Sequence, residues 1–163
     1  GRRPIEAVWY TGRMMGETLA RTLTGNKTAY HPGHWFNSAK FFDIEYQTYG
    51  LVAAHPEGPE VHFHWQDSSK NLAITMAFDK NTNEFLGINI FGIRMRHEVF
   101  DQMLSEKRSI FHVVEHLSGC NFDPEFFKSY ETEIISKFNA VQHTDIKLKK
   151  KSWSRIFNNL IAK

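Results

Sequence analysis

The spacing of hydrophobic and polar positions changes along the chain, and each change marks a new structural region. Near the start, apolar or small residues recur at every third or fourth position, as on one face of a helix. These residues are Ile5, Val8, Trp9, Gly12, Gly16, Leu19, Ala20 and Leu23. Pro4 suits the first helical turn and Gly25 suits a helix stop. We therefore predict a helix between these two residues.

Alternation at every second residue then predicts β-strands. We expect a first strand from Trp35 to Val52, ended by Gly50, with one buried face and one wet face. The predicted buried face holds Phe42, Ile44, Tyr46 and Thr48, and the wet face holds Asp43, Glu45 and Gln47. A second strand covers residues 61–66, and residues 70–93 read as a hairpin around a turn at 79–83. In the first strand of that hairpin we expect Leu72, Ile74, Met76 and Phe78 to face the core, and the apolar residues of the returning strand are Phe85, Leu86, Ile88, Ile90 and Phe91.

Helical spacing returns after the strands. We predict helices from about His97 to Lys107, from about Ser109 to Ser118 with Gly119 as the stop, and from Asp123 to about Phe138. Strands followed by helices indicate the α+β class. The expected fold is an antiparallel sheet covered by helices and preceded by a detached N-terminal helix.

The predicted first helix carries an unusual stripe of small residues. Gly12, Gly16 and Ala20 lie four residues apart, on one side of the helix. Each glycine inside a helix costs roughly 1 kcal/mol relative to alanine, so such a stripe usually serves a close approach by another backbone. The leading glycine, with no initiator methionine, also suggests a cut or processed chain.

Length and composition fit one well-filled core with appendages. The chain has 163 residues, of which 41% are hydrophobic and 14% aromatic. Its single cysteine, Cys120, allows no internal disulfide, which fits a reducing compartment. No apolar run approaches the roughly 20 residues of a membrane helix. We expect a soluble, cytoplasmic protein.

The positive charge is concentrated at the end of the chain. Residues 144–163 carry a net charge of +5 and the preceding residues carry −3. Within this segment, an apolar stripe follows the basic run, at Trp153, Ile156, Phe157, Leu160 and Ile161. We expect a tail helix, from about Ser152 to Ile161, that packs on protein, because one short stripe binds membranes weakly. An anionic surface or nucleic acid is the alternative.

Residues 112–116 read HVVEH, which fits the H-x-x-E-H pattern of inverted zinc metalloproteases. His112 and His116 share a helix face, and Glu115 could act as a base. A catalytic zinc needs a third protein ligand, and the nearby candidates Glu131 and Glu133 fall in the next predicted helix. We therefore expect both histidines at the surface and no metal site.

The other candidate motifs are weaker. His62 with His64 and His31 with His34 are pairs that lack an evident third ligand. Nucleotide signatures are missing, since the sequence contains no G-x-G-x-x-G after a strand and no P-loop. The aromatic residues fall at alternating strand positions, as core residues do, so we expect no nucleic-acid partner.

Three successive stretches carry a family resemblance: RRPIEAVWYTGRMMGETLARTLTG, HWFNSAKFFDIEYQTYGLV, and the sheet with its helices. Together they resemble the C-terminal end of an FAD-dependent pyridine nucleotide-disulfide oxidoreductase of the ferredoxin reductase and NADH oxidase branches. Trp35 to Ser38 is similar to the Phe-Trp-Ser segment beside the flavin, with Asn37 in place of the tryptophan. The resemblance covers mainly Arg2 to Gly92.

The resemblance implies a division of the chain. Residues 1–25 would be the last helix of an FAD-binding domain, residues 26–143 an interface domain, and residues 144–163 a basic amphipathic tail. The implied parent passes hydride from NAD(P)H to FAD. The implied partners are the missing FAD-binding and NAD-binding domains and, in some arrangements, a second copy of the chain.

The implied flavin contacts lie at the start of the first helix and in the first strand. They are Ile5, Glu6, Ala7, Val8, Trp9, Phe36 and Asn37. The chain alone lacks the phosphate-binding turn, so we expect it to hold no cofactor and to catalyse nothing. The alternative is a free-standing, non-enzymatic interaction module that uses its basic tail.

Overall fold

The computed structural model describes residues 8–122 and 128–149, and the chain divides into two compact units between Gly33 and His34. The first unit contains helix α1, Trp9–Leu23. After it, Gly25 adopts a φ of +94°, its amide donates to the Thr22 carbonyl, and the Asn26 amide donates to the Arg21 carbonyl. This left-handed closure confirms Gly25 as the helix stop. The helix begins at Trp9, after the extended Val8, and therefore does not continue back to the predicted start near Pro4. Pro4 itself lies outside the described residues.

The second unit is built on a five-stranded antiparallel sheet. Its strands are β1 (Phe36–Phe41), β2 (Ile44–Gly50), β3 (Glu60–Asp67), β4 (Leu72–Asp79) and β5 (Phe85–Phe91). They lie in the order β1-β2-β5-β4-β3, so β1 and β3 form the edges. The helices are α2 (His97–Ser105), α3 (Ile110–Glu115), α4 (Leu117–Cys120) and α5 (Glu131–Gln142). The predicted α+β class, with an antiparallel sheet and helices, is confirmed.

The single long strand predicted from Trp35 to Val52 is wrong. The chain reverses at Phe42 and Asp43, and β1 pairs with β2 from Phe36↔Tyr49 to Phe41↔Ile44. Phe42 adopts a φ of +53° and its side chain is 97% exposed. Two-residue hairpin turns need positive φ at a central position and usually place glycine or asparagine there. The turn has neither residue, and the apolar–polar alternation of the sequence continues across it, so the pattern gave no sign of a turn.

The buried face predicted for this region is also wrong. Tyr49 is buried, its ring stacks on Phe100 of α2, and its hydroxyl donates to the Met95 carbonyl. Tyr46 and Thr48 therefore point to the opposite face, because successive residues of a strand alternate. Phe42 and Ile44 are exposed rather than buried. Polar Gln47 lies on the helix-covered side, where its side-chain oxygen accepts the Met95 amide.

The core lies between the sheet and the helices. The sheet contributes the inward residues of β3, β4 and β5, and the helices contribute Phe100, Ile110, Val113, Leu117, Ile134 and Phe138. Phe138 of α5 meets Phe63 of β3 edge to face, with ring centroids 5.0 Å apart. The inward positions predicted for β4 are all buried, as are Phe85, Ile88 and Ile90 of β5. Phe91 is not part of this set, because it is 41% exposed.

Two of the predicted helix boundaries need correction. The helix predicted for 109–118 breaks at His116 into α3 and α4, and Gly119 lies inside α4 rather than ending it. Helix α5 begins at Glu131, not at Asp123, which lies outside the described residues together with 124–127. Glu131 is buried, where it accepts hydrogen bonds from Ser129 and from Asn121. These hydrogen bonds fix the first residue of α5 to the segment that precedes it.

The described residues of the tail, 144–149, belong to no helix or strand and are packed on the core. Asn139 of α5 accepts from the Thr144 hydroxyl and the Ile146 amide, and its side-chain amide donates to the Ile146 carbonyl. Ile146 and Leu148 pack against the core. The predicted tail helix, residues 152–161, lies outside the described residues. Within the described part of the chain, no helix is long and apolar enough to cross a membrane.

Candidate functional site

The predicted flavin contacts fall into three groups. Ile5, Glu6 and Ala7 lie outside the described residues. Val8 is the N-cap residue of α1, with an extended backbone and no polar side chain to close the helix, and Trp9 begins the helix with 74% of its surface exposed. No acidic residue occupies the first turn of α1. The start of α1 therefore keeps the positive character of a helix N-terminus.

Phe36 and Asn37 belong to the second unit, at the beginning of edge strand β1. Phe36 lies on the helix-covered side, where its ring is 4.2 Å from the His97 ring. Asn37 points to the opposite side and donates to the Tyr46 hydroxyl at 3.1 Å. A planar ligand on one face of the sheet can therefore touch only one of these two side chains. Their role in flavin binding stays a prediction.

A row of polar side chains crosses the sheet on the face opposite the helices. We call it the polar row: Asn37, Thr48, Asn89, Thr75 and His64, one residue from each strand. Thr48 donates to Asn89 at 2.7 Å, and the His64 ring nitrogen lies 3.0 Å from the Thr75 hydroxyl. The sequence alone could not reveal this row, because it depends on the strand order. Two pairs within the row are hydrogen-bonded and Asn37 bonds to Tyr46, which is the expected behaviour of a structural polar ladder.

The histidine pairs His62 with His64 and His31 with His34 do not form metal sites with a third ligand in the described chain. His62 lies 2.7 Å from a Glu60 carboxylate oxygen that also accepts the Ala53 amide. His34 lies 3.0 Å from Asp101. His62 and His34 are thus each engaged with a neighbouring carboxylate, and His64 is engaged with Thr75 in the polar row.

The residues of the HVVEH motif do come together. Within residues 8–122 and 128–149, His112, Glu115 and His116 are the one group of three metal-ligating side chains, with one ligand atom of each within 4.8 Å of the others. The two imidazole rings stack with centroids 4.0 Å apart. All three side chains are half-buried. The expectation that both histidines simply lie at the surface is therefore incomplete.

Local structure explains how the cluster forms. The Ser109 hydroxyl caps α3 by accepting the His112 amide at 3.2 Å. At the other end, the break at His116 brings its ring Nδ1 to 2.8 Å from the His112 carbonyl oxygen. Ile110, Val113 and Val114 are buried beneath. The apolar side of α3 thus fixes the direction in which the motif points.

The cluster borders a cleft of about 620 Å³ between α3 and the start of the tail. Its lining includes Phe111, His112 and Glu115 on one side and Asp145, Ile146 and Lys147 on the other. Burial lowers the pKa of His112, and the positive charges of His116 and Arg108 lower it further. His112 is therefore held toward its neutral form, in which an imidazole can accept a proton or a metal ion.

Comparison with known proteins finds similarity in structure. No family model matches the chain, and no curated protein matches it significantly. Among solved structures, the chain is similar to an FAD-dependent pyridine nucleotide-disulphide oxidoreductase from Desulfovibrio vulgaris, with 17% identity and a TM-score of 0.47. The match covers 82% of this chain and 31% of that protein.

Proposed function

We propose that this chain is the C-terminal part of an NAD(P)H-dependent and FAD-dependent oxidoreductase. In this proposal α1 is the last helix of the FAD-binding domain, and the α+β unit that follows is an interface domain. The sequence resemblance supplies the family. The observation that carries the proposal is the exposed apolar face of α1, because a helix with such a face needs a partner.

That face consists of Trp9, Gly12, Gly16, Leu19 and Leu23, spaced three and four residues apart as in the seam between two packed helices. Trp9 is 74%, Leu19 57% and Leu23 77% exposed. A Cβ atom added at Gly12 or at Gly16 would meet no heavy atom of the described residues within 4 Å. The large side chains and the flat glycine surface together suit a partner whose backbone comes close to the helix.

The start of α1 fits the proposed cofactor. When bound, FAD supplies hydride acceptance and onward electron transfer. Backbone amides at Val8 and Trp9 would lie at the pyrimidine edge of the ring, where a helix N-terminus stabilises negative charge. Val8 cannot cap the helix with its side chain, and no carboxylate in the first turn opposes that charge. From β1, either Phe36 or Asn37 would contact the flavin ring, because the two side chains point to opposite faces of the sheet.

The decisive experiment uses the longer protein encoded by the same gene. We expect a dinucleotide-binding region upstream of Gly1, and we expect the purified longer protein to contain FAD and to oxidise NAD(P)H. Gly16→Leu should reduce the flavin content and the thermal stability, because a bulky side chain cannot enter a close backbone contact. Glu17→Leu, at the adjacent exposed position, is the matched control and should leave the flavin content unchanged and lower the stability much less, because it removes only an exposed ion pair with Arg13.

Two results would contradict the proposal. A start codon immediately before Gly1 would favour the free-standing interaction module. Equal effects of Gly16→Leu and Glu17→Leu in the longer protein would show that the glycine stripe meets no partner.

A further inference from the structure

The donor set of the HVVEH cluster matches one class of ligand. Two imidazoles and one carboxylate are typical ligands of zinc, whereas calcium and magnesium prefer oxygen ligands alone. Donor atoms around a tetrahedral zinc lie roughly 3.4 Å apart, because each is about 2.1 Å from the ion. The ligand atoms of this cluster lie within 4.8 Å of one another, so they must move closer for one ion to touch all three. The two imidazole rings are stacked, with 24° between their planes, so side-chain rotations must also turn their lone pairs toward the ion.

The hydrogen bonding of His116 prepares it for a metal ion. Its Nδ1 lies 2.8 Å from the His112 carbonyl oxygen, which can only accept a hydrogen bond. Nδ1 therefore carries the proton, and the lone pair of a neutral ring is left on Nε2. Metal-binding histidines commonly use this arrangement, in which a carbonyl fixes both the tautomer and the ring orientation.

We propose that His112, Glu115 and His116 bind one Zn²⁺ ion, with solvent completing the coordination at the mouth of the cleft. In this arrangement Glu115 is the third protein ligand. In a metalloprotease it would instead act as the base, and the third ligand would have to come from elsewhere in the chain. The half-buried position of the three side chains leaves the ion accessible from the cleft. This site is independent of the proposed flavin function.

Lys149 provides a test specific to this geometry. Its ammonium lies 3.8 Å from Glu115 Oε1 and is 63% exposed, while its backbone is fixed by bonds to Glu115 and Ser118. The ammonium competes with a cation for the same carboxylate. Lys149→Met should therefore tighten zinc binding by roughly 2-fold to 5-fold, the size expected for an exposed ion pair.

The experiment is a zinc titration of the chelator-treated full chain by calorimetry, repeated with Co²⁺ to observe the visible absorption of the bound ion. We expect one equivalent per chain. His112→Ala, His116→Ala and Glu115→Gln should each weaken binding by more than roughly 10-fold, the loss that even outer-shell changes cause. His64→Ala and His62→Ala are the matched controls and should bind as the wild type does.

Thermal unfolding without metal shows whether each variant is folded, and Lys149→Met supplies a gain of affinity that no unfolded protein would show. The proposal fails if the wild-type chain takes up no stoichiometric zinc. It also fails if His64→Ala or His62→Ala weakens binding as much as His112→Ala does, or if Glu115→Gln and Lys149→Met leave the affinity unchanged.

Discussion

Tyr49 links the sheet to helix α2 through a group that can ionise. Its ring stacks on Phe100, and its hydroxyl donates to the Met95 carbonyl at 3.2 Å. Burial raises the pKa of Tyr49 from 10.0 to about 12, with a smaller contribution from the charge of Glu98. The folded protein thus keeps this proton at pH values where the unfolded chain releases it.

This difference fixes the sign of an alkaline effect on stability. Below pH 10 both states hold the proton, so Tyr49 contributes no pH dependence. Between pH 10 and about 12 the unfolded state binds fewer protons, so the free energy of unfolding falls as the pH rises. The full difference corresponds to about 3 kcal/mol.

We predict that Tyr49→Phe removes this part of the alkaline loss. The variant should be about 1 kcal/mol less stable than the wild type near neutral pH, because it lacks the bond to Met95. That deficit should shrink by about 1 kcal/mol between about pH 8 and about pH 11. Urea unfolding of both proteins at the two pH values measures this change in the deficit. Glu98→Gln should keep most of the alkaline loss, since burial is the larger cause, and a constant deficit in Tyr49→Phe would contradict the assignment.

At the scale of elements, the turn of the β1–β2 hairpin contains a residue whose backbone conformation is unfavourable for any residue with a Cβ atom. Phe42 has a φ of +53° and an almost fully exposed side chain. A left-handed conformation costs roughly 1–2 kcal/mol for a residue with a Cβ atom. The packing of Tyr49 and the pairing of the two strands must offset that cost.

We predict that Phe42→Gly is more stable than Phe42→Ala by about 1 kcal/mol, because only glycine is free of the left-handed penalty. Ser38, in the middle of β1, provides the matched comparison. There Ser38→Gly should be less stable than Ser38→Ala by about 0.5–1 kcal/mol. Denaturant unfolding of the four variants measures their free energies of unfolding. If the glycine and alanine variants rank in the same order at both positions, Phe42 does not pay a left-handed penalty.

At the scale of the whole molecule, the residues proposed to contact the flavin are divided between the two compact units. Val8 and Trp9 belong to the first unit, and Phe36 and Asn37 belong to the second. The sequence has no glycine-rich turn between a strand and a helix to hold a pyrophosphate, which supplies most of the affinity for a dinucleotide. The remaining contacts would reach only the ring.

We predict that this chain alone binds FAD weakly or not at all and does not oxidise NADH. A titration that follows flavin fluorescence, beside an NADH oxidation assay, measures both properties. The longer protein that we propose the gene encodes is the positive control and should retain the cofactor through purification. Tight, stoichiometric FAD binding by the 163-residue chain would show that the proposed division of the flavin site is wrong.

The sequence by itself determined the elements whose apolar positions are regular and whose ends carry a stop signal. Helix α1 with Gly25, the inward residues of β4 and the α+β class follow from local periodicity and turn chemistry. The sequence also placed His112 and Glu115 on one helix, whereas the break at His116 that turns its ring toward the His112 carbonyl appeared only in the structure. The features that the sequence determined need no information from distant residues.

Only the tertiary structure decided which face of a strand is buried and where the long predicted strand reverses. Tyr49 is buried because α2 packs over it, and Phe42 is held in a turn because β1 pairs back on β2. The polar row could not be predicted, because its five residues become neighbours only through the order of the five strands. The cleft beside Glu115 needed the tail to return along α3, where Lys149 donates its amide to the Glu115 carbonyl. Such contacts join residues far apart in the chain, and no local pattern encodes them.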